Sequence, residues 1–270
     1  MYYAENLWMA TPDNGLAAVF YSDSEVKAKV GDGGEVSIQQ QTHYPFDESI
    51  KMKLQMKSEA KFPLYFRIPA WCTSPVIQIN GKSLDVIAKA GSYVKIVNTW
   101  KNNDQISINF PMTLSVRTWA KNKNSVSVNY GPLTYSLKID EKYIRFDSKE
   151  TAQYDSKWQA NANPFEWPSF EIQPGSARNY GLMNNFHDLN KMFMVVRKSW
   201  PADNYPFTLS SVPIEIKTKG KKIPTWTIDQ YGLCAELPLS PVSTPEPEEE
   251  IILVPMGAAR LRISAFPVVK

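Results

Sequence analysis

Apolar and polar residues alternate along most of this chain with a period of two. In "IKMKLQMK", Ile50, Met52, Leu54 and Met56 share one face, and Lys51, Lys53, Gln55 and Lys57 the other. A strand half-buried against a core requires this pattern, whereas a helix of period 3.6 would smear both types around its surface. The alternation recurs in "VKAKV" (26–30), "VSIQQQT" (36–42), "QISINF" (105–110), "LSVRTW" (114–119), "SVSVNY" (125–130), "PIEIKT" (213–218) and "RLRIS" (260–264). Turn residues separate the runs. Asn80-Gly81 suits a type I′ hairpin, in which both central residues take positive φ, and "GDGGE" (31–35) links two further strands in the same way.

Short strands with a turn every ten or so residues predict an all-β chain of two consecutive antiparallel β-sandwiches, jelly-roll-like in kind. Composition shifts near residue 120, after "AKNKN" begins. The expected domains are therefore 1–120 and 121–270, each near the common size of ~100–150 residues. The second contains a segment rich in Trp, Pro and Phe at 154–180, where alternation fades. The stretch nearest to a helix, Asn179 to Val196, holds Gly181 and several Asn and reads as strand and loop.

Composition narrows the function classes. Hydrophobic residues make up 43% of 270, enough for buried cores, and 20 Pro against 12 Gly favour ordered loops over long helices. A net charge of +3 on so long a chain gives no reason to expect nucleic acid or an anionic membrane as partner. The basic run "KTKGKK" (217–222) and the acidic run "EPEEE" (246–250) read as solvated loops. No stretch approaches the ~18–20 apolar residues of a membrane span. No signal-peptide pattern opens the chain, so the localisation stays open.

Reactive chemistry is sparse. The two cysteines, Cys72 and Cys234, lie far apart without CxxC spacing, and the two histidines, His43 and His187, add no metal-binding pattern. The stretch "LYFRIPAWC" (64–72) reads as a strand whose end places Cys72 after Trp71 as a small apolar residue. Neither histidine has a nucleophile elbow to serve, and "GDGGE" leads into a strand rather than the helix a phosphate cradle needs. Paired carboxylates remain: Asp47 and Glu48 beside His43 and Tyr44, and Glu166 and Glu171 among Trp158, Phe165, Trp167 and Phe170. The second group reads either as a sugar site with stacking rings or as a proline-pinned segment whose rings serve as core.

Several segments in series resemble a known family. "FPLYFRIPAWC", "VIQINGKSL", "GSYVKIVNTWKNNDQISINFPM" and "VSVNYGPLTYSLK" are similar to glycoside hydrolase family 127, the β-L-arabinofuranosidases, and its close relatives. The resemblance extends from "NLWMATPDNGLAAVFYSDSEV" through "FEWPSFEIQPGSARNYGL" and "VPIEIKTKGKKIPTWTIDQYGLCAELPLSPV" to "EEIILVPMGAARLRISAFP". It implies that this chain corresponds to the C-terminal β-sandwich region. In that family a preceding (α/α)6 barrel performs the chemistry with a zinc-bound cysteine nucleophile and a glutamate acid/base. The barrel's Cys-Cys pair would lie upstream of the segment matching "NLWMATPDNGL", and neither Cys72 nor Cys234 falls in a matching context. No catalytic or metal-ligating residue carries over, no cofactor is expected in this chain, and the zinc belongs to the barrel. The family works on plant-type glycans in bacteria, in part outside the cytoplasm.

Three functional readings follow. The first is a non-catalytic accessory sandwich pair whose partner is the catalytic barrel, docked through exposed apolar surface on the first sandwich. The second is a carbohydrate-binding module for an arabinose-containing glycan, with Trp158, Trp167, Tyr180, Trp200 and Trp226 as stacking faces and Glu166 as a polar contact. The third is a stand-alone glycosidase using two of its own carboxylates.

Overall fold

The computed structural model describes residues 2–146, 169–229 and 233–270. Strands dominate it. Among the described residues the α-helices are single turns, α1 (Tyr2–Glu5) and α2 (Leu189–Met192), and no helix is long and apolar enough to cross a membrane. The chain divides into two compact units, Met1–Thr113 and Leu114–Lys270.

The first unit is a two-sheet sandwich. Its strands in chain order are β1 (Trp8–Ala10), β2 (Leu16–Ala18), β3 (Ser24–Val30), β4 (Gly34–Thr42), β5 (Ser49–Met56), β6 (Ala60–Arg67), β7 (Val76–Ile79), β8 (Lys82–Ser83), β9 (Tyr93–Trp100) and β10 (Gln105–Asn109). They form a four-stranded sheet in the order β1-β2-β6-β9 and a six-stranded sheet in the order β3-β4-β5-β10-β7-β8. Inward side chains of both sheets meet in one core. The smaller sheet supplies Leu16, Leu64, Phe66 and Val94, and the larger supplies Ile38, Ile50, Leu54 and Ile106. Each such side chain stabilises the fold by about 1.5–3 kcal/mol through burial. The Trp100 indole N–H donates to the Phe62 carbonyl at 3.0 Å, so this core ring leaves no buried donor unpaired.

The turns follow their sequence. Asn80 (φ 50°) and Gly81 (φ 77°) close the β7–β8 hairpin in the positive-φ conformation that a type I′ turn requires. The "GDGGE" hairpin pairs Val30 with Gly34. After β6 the chain bends so that the Cys72 amide donates to the Pro69 carbonyl at 3.1 Å, and Cys72 is fully buried in the core.

The second unit comprises β11 (Leu114–Trp119), β12 (Ser125–Tyr130), β13 (Leu133–Leu137), β14 (Glu141–Phe146), β15 (Ser169–Pro174), β16 (Tyr180–Met183), β17 (Met194–Arg197), β18 (Ile214–Lys222), β19 (Glu248–Pro255) and β20 (Val268–Val269). Its main sheet runs β11-β12-β13-β19-β18-β16-β20, with β17 also on β18, and β14 and β15 form a separate two-stranded ribbon. The main sheet folds back on itself. Val126 in β12 and Phe266, just before β20, exchange both backbone hydrogen bonds at 2.8 Å. The folded sheet encloses Val128, Tyr135, Leu137, Leu182, Ile216, Leu253 and Phe266. The second layer of this unit is thus the far end of the same sheet.

Four sequence expectations are revised in detail. The boundary falls between Thr113 and Leu114 rather than at 120, because Leu114–Trp119 pairs along its length with Ser125–Tyr130. "KTKGKK" is strand, not solvated loop, and so is most of the acidic run. Lys217, Lys219 and Lys222 reach diagonally across β18 and β19 to Glu250, Glu248 and Glu249 at 3.1, 3.5 and 2.8 Å, and such diagonal opposite-charge pairs favour the ladder. "RLRIS" alternates but is not strand. It follows a 3-10 turn at Met256–Ala258, and the Arg262 side chain bonds the Ala259 carbonyl. Among the described residues, its main chain meets the sheet where the Leu137 amide donates to the Ile263 carbonyl. Between β16 and β17, where strand and loop were expected, α2 adds one helical turn capped by Asp188.

Candidate functional site

The outer face of the four-stranded sheet is the most distinctive surface of the first unit. Strand register builds it. Met9 pairs with Ala17, Ala17 with Tyr65, and Tyr65 with Lys95, making one outward rung across four strands. Flanking rungs add Pro63 opposite Val97 and Arg67 opposite Tyr93. Met9 (46% exposed), Tyr93 (48%) and Val97 (53%) leave their apolar surface in solvent. Tyr3 from α1 extends the same character, its ring 5.3 Å from that of Phe20, over which the Arg67 guanidinium lies at 5.5 Å.

A polar clamp sits within this face. The β1–β2 loop brings Asp13 onto the sheet, where one carboxylate oxygen accepts from the Tyr65 hydroxyl (2.6 Å) and pairs with Lys95 Nζ (2.8 Å). The other accepts from the Thr11 hydroxyl (2.6 Å), whose oxygen in turn accepts from the Gly15 amide (3.0 Å). Hydrogen bonds from Lys95, Thr11 and Tyr65 hold the Asp13 carboxyl far below the usual carboxylate range, and the same contact raises Lys95. Asp13 is thereby a fixed anion with its charge neutralised, unsuited to proton transfer near neutrality. Only glycine fits at position 15, since a Cβ there would lie 2.2 Å from the Pro63 carbonyl oxygen. The loop is pressed against β6 and the clamp is rigid.

The sugar-contact candidates fall in separate settings. Trp158, Glu166 and Trp167 lie outside the described residues. Tyr180 is 8% exposed, its hydroxyl donating to Glu249 (2.6 Å) and its ring 5.6 Å from Lys222 Nζ. Trp226 is 4% exposed in a small cluster with Ile223 and Val269, its N–H donating to the Ala235 carbonyl (3.1 Å). Neither presents a ring face to solvent. Trp200 is half-buried and donates to Asn204 (2.7 Å) in its own loop.

Catalytic and metal-binding arrangements fare likewise. Each resolved carboxylate shift among the described residues, at Asp13, Glu25, Glu215, Glu236 and Glu249, is downward. A glycosidic general acid needs the opposite shift. Cys72 is buried and burial raises its thiol, the reverse of what a thiolate ligand requires. Cys234 is exposed, both cysteines are free, and no group of three or more His, Cys, Asp or Glu among the described residues stands together as a metal site. The described residues therefore do not fit a zinc centre of the kind the resemblance places in the barrel.

Comparison with known proteins finds similar folds and one matching family model. Residues 15–112 match the family model described as the β-L-arabinofuranosidase GH127 middle domain. Among solved structures, the chain is similar to a GH127 β-L-arabinofuranosidase from Geobacillus stearothermophilus T6 at TM-score 0.63 and 19% identity, over 98% of this chain and 35% of that one. It is similar also to a glycoside hydrolase (TM-score 0.63, 19% identity, 99% of this chain and 37% of the other). A GH127 β-arabinofuranosidase gives 0.60 and 17%, over 96% and 35%. No curated protein matches significantly. The chain thus spans about a third of the length of the solved relatives it matches. Residues 15–112 match the model of the GH127 middle domain, and the chain shares the β-sandwich fold of the corresponding third of these solved structures.

Proposed function

We propose that this chain is a non-catalytic accessory part of a family-127-type glycoside hydrolase, with the outer face of β1, β2, β6 and β9 as the seat for the catalytic barrel. The observation that carries this reading is the contrast between the two outer faces of the first sandwich. The outward positions of β3, β4, β5 and β10 are polar, whereas Met9, Tyr65, Tyr93 and Val97 line the other side. An exposed apolar face with a neutralised, rigid clamp suits permanent contact with another protein surface better than contact with a soluble ligand. A sandwich held there would stiffen the walls of a neighbouring sugar site. In this role the chain contributes shape and rigidity, and the barrel contributes the zinc and the nucleophile.

The test is direct. Purified chain, with zinc and reductant, should give no turnover of a nitrophenyl β-L-arabinofuranoside. Measurable turnover would overturn the accessory reading.

A further inference from the structure

The outer face of the six-stranded sheet carries a second, independent surface. Register lines up its outward residues in rungs across the strands. Glu25, Gln39, Lys53 and Gln105 form one, Gln41, Lys51, Ser107 and Gln78 the next, and Lys27, Ser37 and Gln55 a third. Five lysines on this face (27, 29, 51, 53 and 57) stand against two glutamates (25 and 35), a formal +3 that equals the net charge of the whole chain. Glu25 is already engaged, accepting from Ser37 (2.7 Å) and pairing with Lys27 (3.3 Å). Lys29, Lys51, Lys53 and Lys57 make no ion pair among the described residues.

The face is also grooved. Two depressions lie along it, of about 580 Å³ beside Lys27, Lys29, Ser37, Gln55 and Lys57, and of about 380 Å³ beside Gln39, Gln41, Lys51, Lys53 and Gln105. Side chains on one strand face repeat every ~6.7 Å, and neighbouring strands lie ~4.8 Å apart. Along β5, Lys51, Lys53, Gln55 and Lys57 therefore set ammonium groups and an amide at ~6.7 Å steps, flanked by Gln39, Gln41 and Gln105 on the neighbouring strands, so an extended polymer fits lying along β5.

We propose that this face binds a polysaccharide carrying carboxylate groups, a polyuronate chain. The free lysines meet the carboxylates, and Gln39, Gln41, Gln55 and Gln105 meet the hydroxyls, each amide offering donors and an acceptor. A single-stranded nucleic acid would want rings to stack on, and no aromatic residue points outward from β3, β4, β5 or β10. A membrane surface would want apolar side chains to insert, and those strands present none there. The preference for a glycan among polyanions rests on the glycoside hydrolase reading above; the cationic array does not.

Affinity electrophoresis of the full chain through polygalacturonate tests this. Retardation is expected, falling as NaCl rises because exposed charges are screened. The variant K51Q/K53Q/K57Q should bind about tenfold more weakly, while K89Q/K121Q/K142Q, with the same charge loss elsewhere, binds as the parent does. Unchanged far-UV circular dichroism keeps the comparison fair. No retardation, equal retardation by poly-uridylate or polyglutamate, or an unaffected K51Q/K53Q/K57Q variant would each overturn the proposal. Arabinofuranoside turnover by the chain would overturn the accessory reading and leave this one standing.

Discussion

At the scale of single residues, Gly15 and Asp13 show how local chemistry sets a surface. A methyl group at position 15 would meet the backbone of Pro63, which cannot retreat from its ladder with β9. Gly15→Ala is expected to cost about 1–3 kcal/mol, the range for overpacking, read from urea unfolding. Asp13 supplies a pH signature. Its folded pKa is depressed, so in acid the unfolded chain takes up the proton first. The stabilisation is complete above the unfolded carboxylate value, ~3.9, and is lost as pH falls from there toward the folded value. Thermal melts of wild type and Asp13→Asn should therefore differ at neutral pH and converge in strong acid. Glu215 behaves differently. Burial would raise it, but hydrogen bonds from Lys198 (2.6 Å) and Lys138 (2.9 Å) more than offset that and lower it. Removing the carboxylate leaves two partly exposed lysines without their shared partner. Glu215→Ala should cost about 1–3 kcal/mol by the same unfolding measurement.

Among the elements, β9 is the strand whose two faces disagree with a simple sandwich. Val94 and Ile96 enter the core, while Tyr93 and Val97 on the opposite side are apolar and exposed. Replacing Tyr93 and Val97 by Lys should leave stability within ~0.5 kcal/mol, as for surface sites, and reduce self-association in light scattering. Substitutions at Val94 or Ile96 should destabilise. Strands such as β5, with its uninterrupted Ile50–Met52–Leu54–Met56 face, were fully legible in the sequence because one local period decides them. "RLRIS" misled for the same reason, since alternation records burial and not backbone pairing. The apolar outer face could not be read, because Met9, Tyr65 and Val97 become neighbours only through register between strands distant in sequence. The one local sign was a strand with apolar residues on both sides, "YVKIV". Tyr180 and Trp226 show the converse, since an aromatic residue looks the same in sequence whether its ring stacks on a ligand or fills a core.

Across the whole molecule, each unit has its own hydrophobic core. Leu64→Ala in the first and Leu253→Ala in the second, both at fully buried sites, should each cost about 2–5 kcal/mol. The two sites lie in separate core clusters, so the double variant should equal the sum within ~0.5 kcal/mol in urea unfolding. The accessory reading and the polyuronate proposal then occupy opposite outer faces of one sandwich, so variants designed for one leave the other intact.

The bond pair between Val126 and Phe266 also sets an order of events during synthesis. Every strand of the first unit has left the ribosome by Asn109, so its two sheets can close while translation continues. The second unit must hold β12 unclosed until Phe266 emerges, near the end of the sequence. Its nascent chain therefore carries an open sheet through most of its translation, and that interval is where chaperone demand and misassembly of this protein should concentrate.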